Sequence, residues 1–139
     1  DICARGIYAS LNAMASVKKL DVSQTERLTL LGRSFVTAVL ENRMYIAIFT
    51  REEKWLTPAD LERINEMRRT FDNELTELIR EGVVAGEFEV VDPHIAALSI
   101  GGMVSWAYVW FRAKGQFTIS ETADEMTKLI LAMVKAKNT

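Results

Sequence analysis

Apolar residues recur every three or four positions along most of the chain, and short polar breaks divide that rhythm into six pieces. In the first, roughly 2–19, Ile7, Leu11, Met14 and Val17 fall on one helical face. Asp21 and Ser23 interrupt. A second helix is expected from Ser23 or Gln24 to Asn42, with Leu28, Leu31, Phe35, Val36, Val39 and Leu40 apolar, and with Ser23 and Glu26 spaced as a capping box. The segment from Arg43 to Lys54 is short and mixed, and its apolar start predicts burial on most sides through Ile48 and Phe49. Next, Thr57 caps and Pro58 opens a long helix, Asp60 lies near its positive end, and Leu61, Ile64, Met67, Phe71, Leu75 and Leu78 form its stripe. Gly86 supplies a left-handed stop. Asp92 and Pro93 start a fifth helix, about 93–113, ended by Gly115, and Ser120 caps a sixth whose inner face holds Ala123, Met126, Ile130 and Val134 or Met133. No run alternates with period two beyond the short EFEVV, so the predicted fold class is all-α, about six helices.

The fifth helix is unlike the others. Ile95 to Phe111 is a stretch of 17 residues without a charge, containing Trp106, Tyr108, Trp110 and Phe111. A membrane span needs about 20 such residues, and Gly101-Gly102, Ser99 and Ser105 together with amphipathic neighbours favour a helix buried in a globular assembly. At 100° per residue, Trp106 and Trp110 share a face with Met103, while Val104, Tyr108 and Phe111 lie nearly opposite. Ala97, Gly101 and Ser105 form a small-residue stripe that admits a close helix. With both faces apolar, a second copy of the chain is the expected supplier of contacts; the central helix of a monomeric bundle is the alternative.

The 139 residues fit one domain, with a net charge of −2 from 17 basic and 19 acidic residues. The basic residues are scattered and paired only at Lys18-Lys19 and Arg68-Arg69, which is no footprint for a phosphate backbone. Cys3 is the single cysteine, so no intrachain disulfide forms, a usage compatible with a reducing, cytoplasmic setting. The chain opens with helical pattern at Asp1 and no preceding cap, which predicts a missing N-terminal part.

Candidate chemistry is sparse. His94 is the lone histidine and follows Pro93 in a first helical turn; no cluster has zinc spacing, and no strand precedes Gly82-x-x-x-Gly86. Glu52 and Glu53 are adjacent, so they point apart on a helix. An enzyme is not expected, and no cofactor or metal is implied. Arg68 admits two readings: a solvated arginine paired along its helix, or a cavity-rim group matching a carboxylate or phosphate. Arg51, Arg112 and Lys114 admit the same two.

Taken together, LIREGVVAGEF (Leu78 to Phe88), DPHIAALSIGGMVSW (Asp92 to Trp106), VWFRAKG ending at Gly115 and ISETADEMTKLIL (Ile119 to Leu131) resemble the C-terminal, ligand-binding and dimerisation domain of the TetR family of transcriptional repressors. FTREEKWLTPADLERINEMRRTFD is similar to that family's connection and long helix. The subgroup most like this chain includes regulators of steroid and fatty-acid catabolism, some responsive to coenzyme A thioesters; Trp110, Phe111, Arg112 and Gly115 match it, with Ala113 where proline is common. The resemblance implies a cytoplasmic homodimer that senses a hydrophobic small molecule, touches no membrane and binds DNA only through an N-terminal helix-turn-helix absent from these residues. It implies a ligand cavity among the first five helices, for which Phe35, Met44, Phe49, Met67, Phe71, Trp106 and Trp110 are the expected walls and Arg68 the polar anchor. For the four-helix dimer bundle the expected contacts are Gly101, Ser105 and Tyr108 with Met126, Ile130 and Met133.

Overall fold

The structure, a computed structural model, describes residues 5–52, Lys54 and 56–137. The readings made on Asp1, Cys3 and Glu53 lie outside these residues. Six helices follow in order: α1 (Arg5–Lys18), α2 (Gln24–Glu41), α3 (Arg43–Glu52), α4 (Pro58–Val84), α5 (Pro93–Trp110) and α6 (Ile119–Met133). The described residues contain no strand and no helix long and apolar enough to cross a membrane. The chain is all-α, as its periodicity requires.

Local chemistry sets the helix ends. Thr57 accepts from the Asp60 amide at 3.1 Å with Pro58 next in line, and Asp92 accepts from His94 and Ile95 at 2.9 and 3.1 Å. At the end of α4, Gly86 takes φ +79°, and the amides of Glu87 and Gly86 bond to Gly82 O and Val83 O at 2.8 and 3.0 Å. This is a Schellman closure. Two expected ends move. α6 is capped by Thr118, not Ser120, because Thr118 and Glu121 complete a reciprocal capping box. α5 stops at Trp110, short of Ala113, because Phe111 turns extended (ψ 137°) and buries its ring. The Arg43 guanidinium covers that ring at 5.2 Å, and Arg112 donates to Val109 O and Phe111 O.

Helix α2 lies at the centre and packs against all five other helices. Leu28, Leu31, Phe35, Val36, Val39 and Leu40 are all buried, so its apolar face is wide enough to serve several neighbours. Gly32 lets α6 approach: a Cβ there would sit 3.3 Å from Ile130 and Thr127 side-chain atoms. The main core also takes in Met14, Phe71, Leu75, Ile79, Ile100, Val104, Met126, Ile130 and Val134. Phe49 and Ile64 form a smaller cluster with Ile7, Leu56, Leu61 and Met67 packed against it. Burial of α3 on most sides is not found, since Ile48 and Met44 are exposed and only Phe49 is buried.

The orientation of α5 reverses the expected one. Ala97, Ile100, Val104 and Ala107 face the chain's own core, whereas Trp106 and Trp110 are 60% and 48% exposed. Against α4 and α2 the inward positions are Ala and β-branched residues; the two indoles fit only outside that closely packed face.

Candidate functional site

Helices α1 to α5 line a half-open cavity of about 390 Å³, and α6 contributes nothing to it. Its depth is built from the apolar periodicity of three helices. Phe35 and Val39 come from α2, Ile64 and Phe71 from α4, and Ile46 from α3. Phe35 and Phe71 meet at 4.7 Å between ring centroids, tilted by 54°, a contact that adds about 1 kcal/mol to what burial supplies. Helix α1 provides Ile7 and Ser10, whose Oγ donates to Gly6 O at 3.0 Å. On the α5 side the wall is Leu98, Gly101, Gly102, Ser105, Trp106 and Tyr108.

Polar groups are the minority of the lining. The Tyr108 hydroxyl donates to Thr50 Oγ1 at 3.5 Å. Arg68 lies with its guanidinium carbon 5.0 Å from the Phe49 ring centroid, a cation–π contact. Asp72, one turn further along α4, is half-buried; burial raises its pKa above the ordinary carboxylate value, outweighing the His94 and Arg68 charges that lower it. His94 itself is engaged by Thr76 Oγ1 at 3.3 Å.

Of the residues expected to line a cavity, Phe35, Arg68, Phe71 and Trp106 do so. The other four fall elsewhere. Phe49 and Met67 belong to the smaller cluster beneath Arg68, and Met44 and Trp110 point to solvent. Gly101, Ser105 and Tyr108, expected at a subunit contact, border the cavity instead, because the side of α5 that carries them turns toward α1, α3 and α4. Met126 and Ile130 are buried in the chain's own core against α2, which leaves Met133 as the exposed one of the three residues expected from α6. Sequence reasoning missed Asp72 and the α1 wall. A carboxylate directly after the core residue Phe71, one turn from Arg68, was the available signal.

A hollow along α2 and α6 is of similar size, about 420 Å³, but Arg33, Glu121, Asp124, Glu125 and Lys128 border it, which makes it a solvated groove. Among the described residues no group of three or more His, Cys, Asp or Glu side chains could hold a metal ion.

A six-helix chain with an apolar cavity walled by five of its helices matches a known family. Residues 21–134 fit the family described as "Tetracyclin repressor-like, C-terminal domain". The chain belongs to that family. No curated protein sequence matches it. Among solved structures, this tetracyclin repressor-like domain is similar to the TetR-family regulator PfmR of Thermus thermophilus, with TM-score 0.84 and 21% identity over 99% of this chain and 74% of that one. A regulatory protein of the tetR family from Rhodococcus RHA1 has TM-score 0.85 and 26% identity over 99% and 72% of the two chains. AibR, solved with isovaleryl coenzyme A and operator DNA, has TM-score 0.69 and 24% identity over 89% and 71%. The chain is thus a ligand-sensing domain of a TetR-family transcriptional regulator.

Proposed function

We propose that this domain is the effector-sensing and dimerisation unit of a transcriptional repressor, and that its effector is a hydrophobic small molecule of the acyl or steroid-type coenzyme A thioester class. The observation that carries the reading is the cavity: lined mainly by apolar and aromatic side chains with a few polar groups among them, and within the size range of small-molecule sites, about 300–1,000 Å³. The complex of AibR with isovaleryl coenzyme A supports the thioester class. A helical module that only packs would fill the space beside Trp106 and Phe71 with side chains, and here that space is open.

Residues 1–139 then act as one ligand-binding and dimerisation domain, and DNA is contacted by an N-terminal helix-turn-helix outside them. The subunit contact is formed by the bare side of α5, where Ile95, Leu98, Trp106, Val109 and Trp110 are exposed, with Leu129 and Met133 of α6. Contiguous exposed apolar surface of this kind marks an interaction site. A ligand that binds one arrangement of the paired subunits better than another shifts the DNA-reading heads by that difference in affinity.

Isothermal titration with isovaleryl-CoA, octanoyl-CoA and free coenzyme A tests the effector class. Saturable binding of at least one thioester, with free coenzyme A much weaker, is the expected result. Equal binding of all three, or none, would remove the acyl cavity as the determinant.

A further inference from the structure

We infer that Asp72 and Arg68 together read the head of the effector: a neutral group presenting a carbonyl and, a few atoms away, a hydrogen-bond donor. The inference rests on the reading of the cavity as an effector site and deepens it.

Both side chains border the cavity from α4, one helical turn apart. Among the described residues the Asp72 carboxylate accepts no hydrogen bond; its only interactions are the fields of His94 and Arg68. Arg68 forms no ion pair with it and stays over the Phe49 ring, while the His94 ring is taken by Thr76. Beside the Asp72 carboxylate, on the neighbouring α5, lies Gly101, whose absent side chain leaves it uncovered: a Cβ there would lie 3.6 Å from Asp72 Oδ1. With no donor from the protein, the half-buried carboxylate is left to water, and a ligand that displaces that water from the cavity must replace its hydrogen bond. Charge narrows the choice. A bare carboxylate would meet Asp72 and an ammonium would meet Arg68, each at close range. A neutral head with a carbonyl toward Arg68 and an N–H or O–H toward Asp72 satisfies both. The thioester carbonyl and the first amide N–H of a pantetheine arm have this arrangement.

The test uses two truncated thioesters of matched length, S-octanoyl-N-acetylcysteamine, which carries the amide, and S-pentyl octanethioate, which does not. Calorimetry on the wild-type chain is expected to show the amide compound binding at least about tenfold tighter, the scale of a hydrogen bond to a charged group. Asp72→Leu should erase that preference while leaving the pentyl compound's affinity unchanged or improved. Gly101→Ala, which places a methyl group beside Oδ1 at ordinary contact distance, should shrink the preference without removing a charge. Arg68→Leu should weaken both compounds alike. Equal binding of the two by wild type, or a preference that survives both Asp72→Leu and Gly101→Ala, overturns this inference and leaves the effector cavity standing. Binding of neither overturns both.

Discussion

At the scale of single residues, Asp72 shows how the site trades against the fold. Its folded-state pKa is raised above the unfolded value of 3.8, chiefly by burial, with His94 and Arg68 opposing. The protonated form is therefore favoured in the native state: the associated stability is full below 3.8 and is lost as pH rises through the folded pKa. Asp72→Asn, uncharged throughout, is expected to raise the melting temperature at neutral pH, with the gain shrinking as pH is lowered toward 3.8. A gain that does not change with pH would show that burial of charge is not its source. Gly82 is a second residue with a specific demand on it. A Cβ at this position would overlap the Phe88 ring, which is buried against the end of α4. Gly82→Ala is expected to destabilise by about 1–3 kcal/mol, the usual cost of overpacking, read as a lower urea midpoint with unchanged slope. Nothing in the spacing Gly82-x-x-x-Gly86 distinguishes the two glycines, yet one serves a left-handed turn and the other a ring.

At the scale of helices, the start of α2 depends on a residue 62 positions away in sequence. The Glu87 carboxylate accepts from the Thr25 amide and hydroxyl at 2.9 Å each and from the Gln24 amide at 3.2 Å. Burial pushes the Glu87 pKa up, but those three donors and the Arg27 charge outweigh it and hold the carboxyl below its ordinary range. Its contribution is present above the unfolded value of 4.5 and lost as pH falls through the folded pKa. Glu87→Ala should cost about 1–2 kcal/mol near neutral pH, as loss of a cap does, and the wild-type advantage should fade in acid; a difference constant with pH would contradict the assignment. The local half of this arrangement was legible, because Ser23 Oγ does accept from the Glu26 amide at 3.1 Å. The long-range half was not, since no local pattern ties Glu87 to Gln24. The same contrast separates the helices themselves. α2 and α4 carry polar faces, so their inward sides could be derived; α5 is apolar all round, and periodicity alone cannot say which side turns in. Packing decided it, seating Ala97, Val104 and Ala107 against the neighbours and leaving the indoles out. Phe35, Phe71 and Arg68 border the cavity as expected because they sit on helices whose orientation was derivable, whereas Trp106 borders it from the exposed edge of α5.

For the whole molecule, the arrangement of α5 and α6 makes the proposed subunit contact the property most open to a decisive mutation. Trp110 is exposed and outside the cavity, and Leu129 is exposed on α6. Trp110→Glu combined with Leu129→Glu is expected to convert a dimer to a monomer by light scattering at micromolar concentration, with little change in helical circular dichroism, because buried like charges are excluded from an apolar interface core. A wild-type monomer, or an unaffected dimer in the double variant, would place the contact elsewhere. Further along the same helix edge, Trp106 borders the cavity and yet is largely exposed, while Trp110, one turn on, is clear of the cavity. These indoles give the domain two optical probes on one rod. Trp55 is the third tryptophan of the chain, so with Trp55→Phe and Trp110→Phe together, emission from position 106 records occupancy of the cavity; restoring Trp110 adds a fluorophore whose quenching by acrylamide records whether the outer edge is covered. One cuvette can then follow filling and pairing as separate signals of the same titration, and show which comes first.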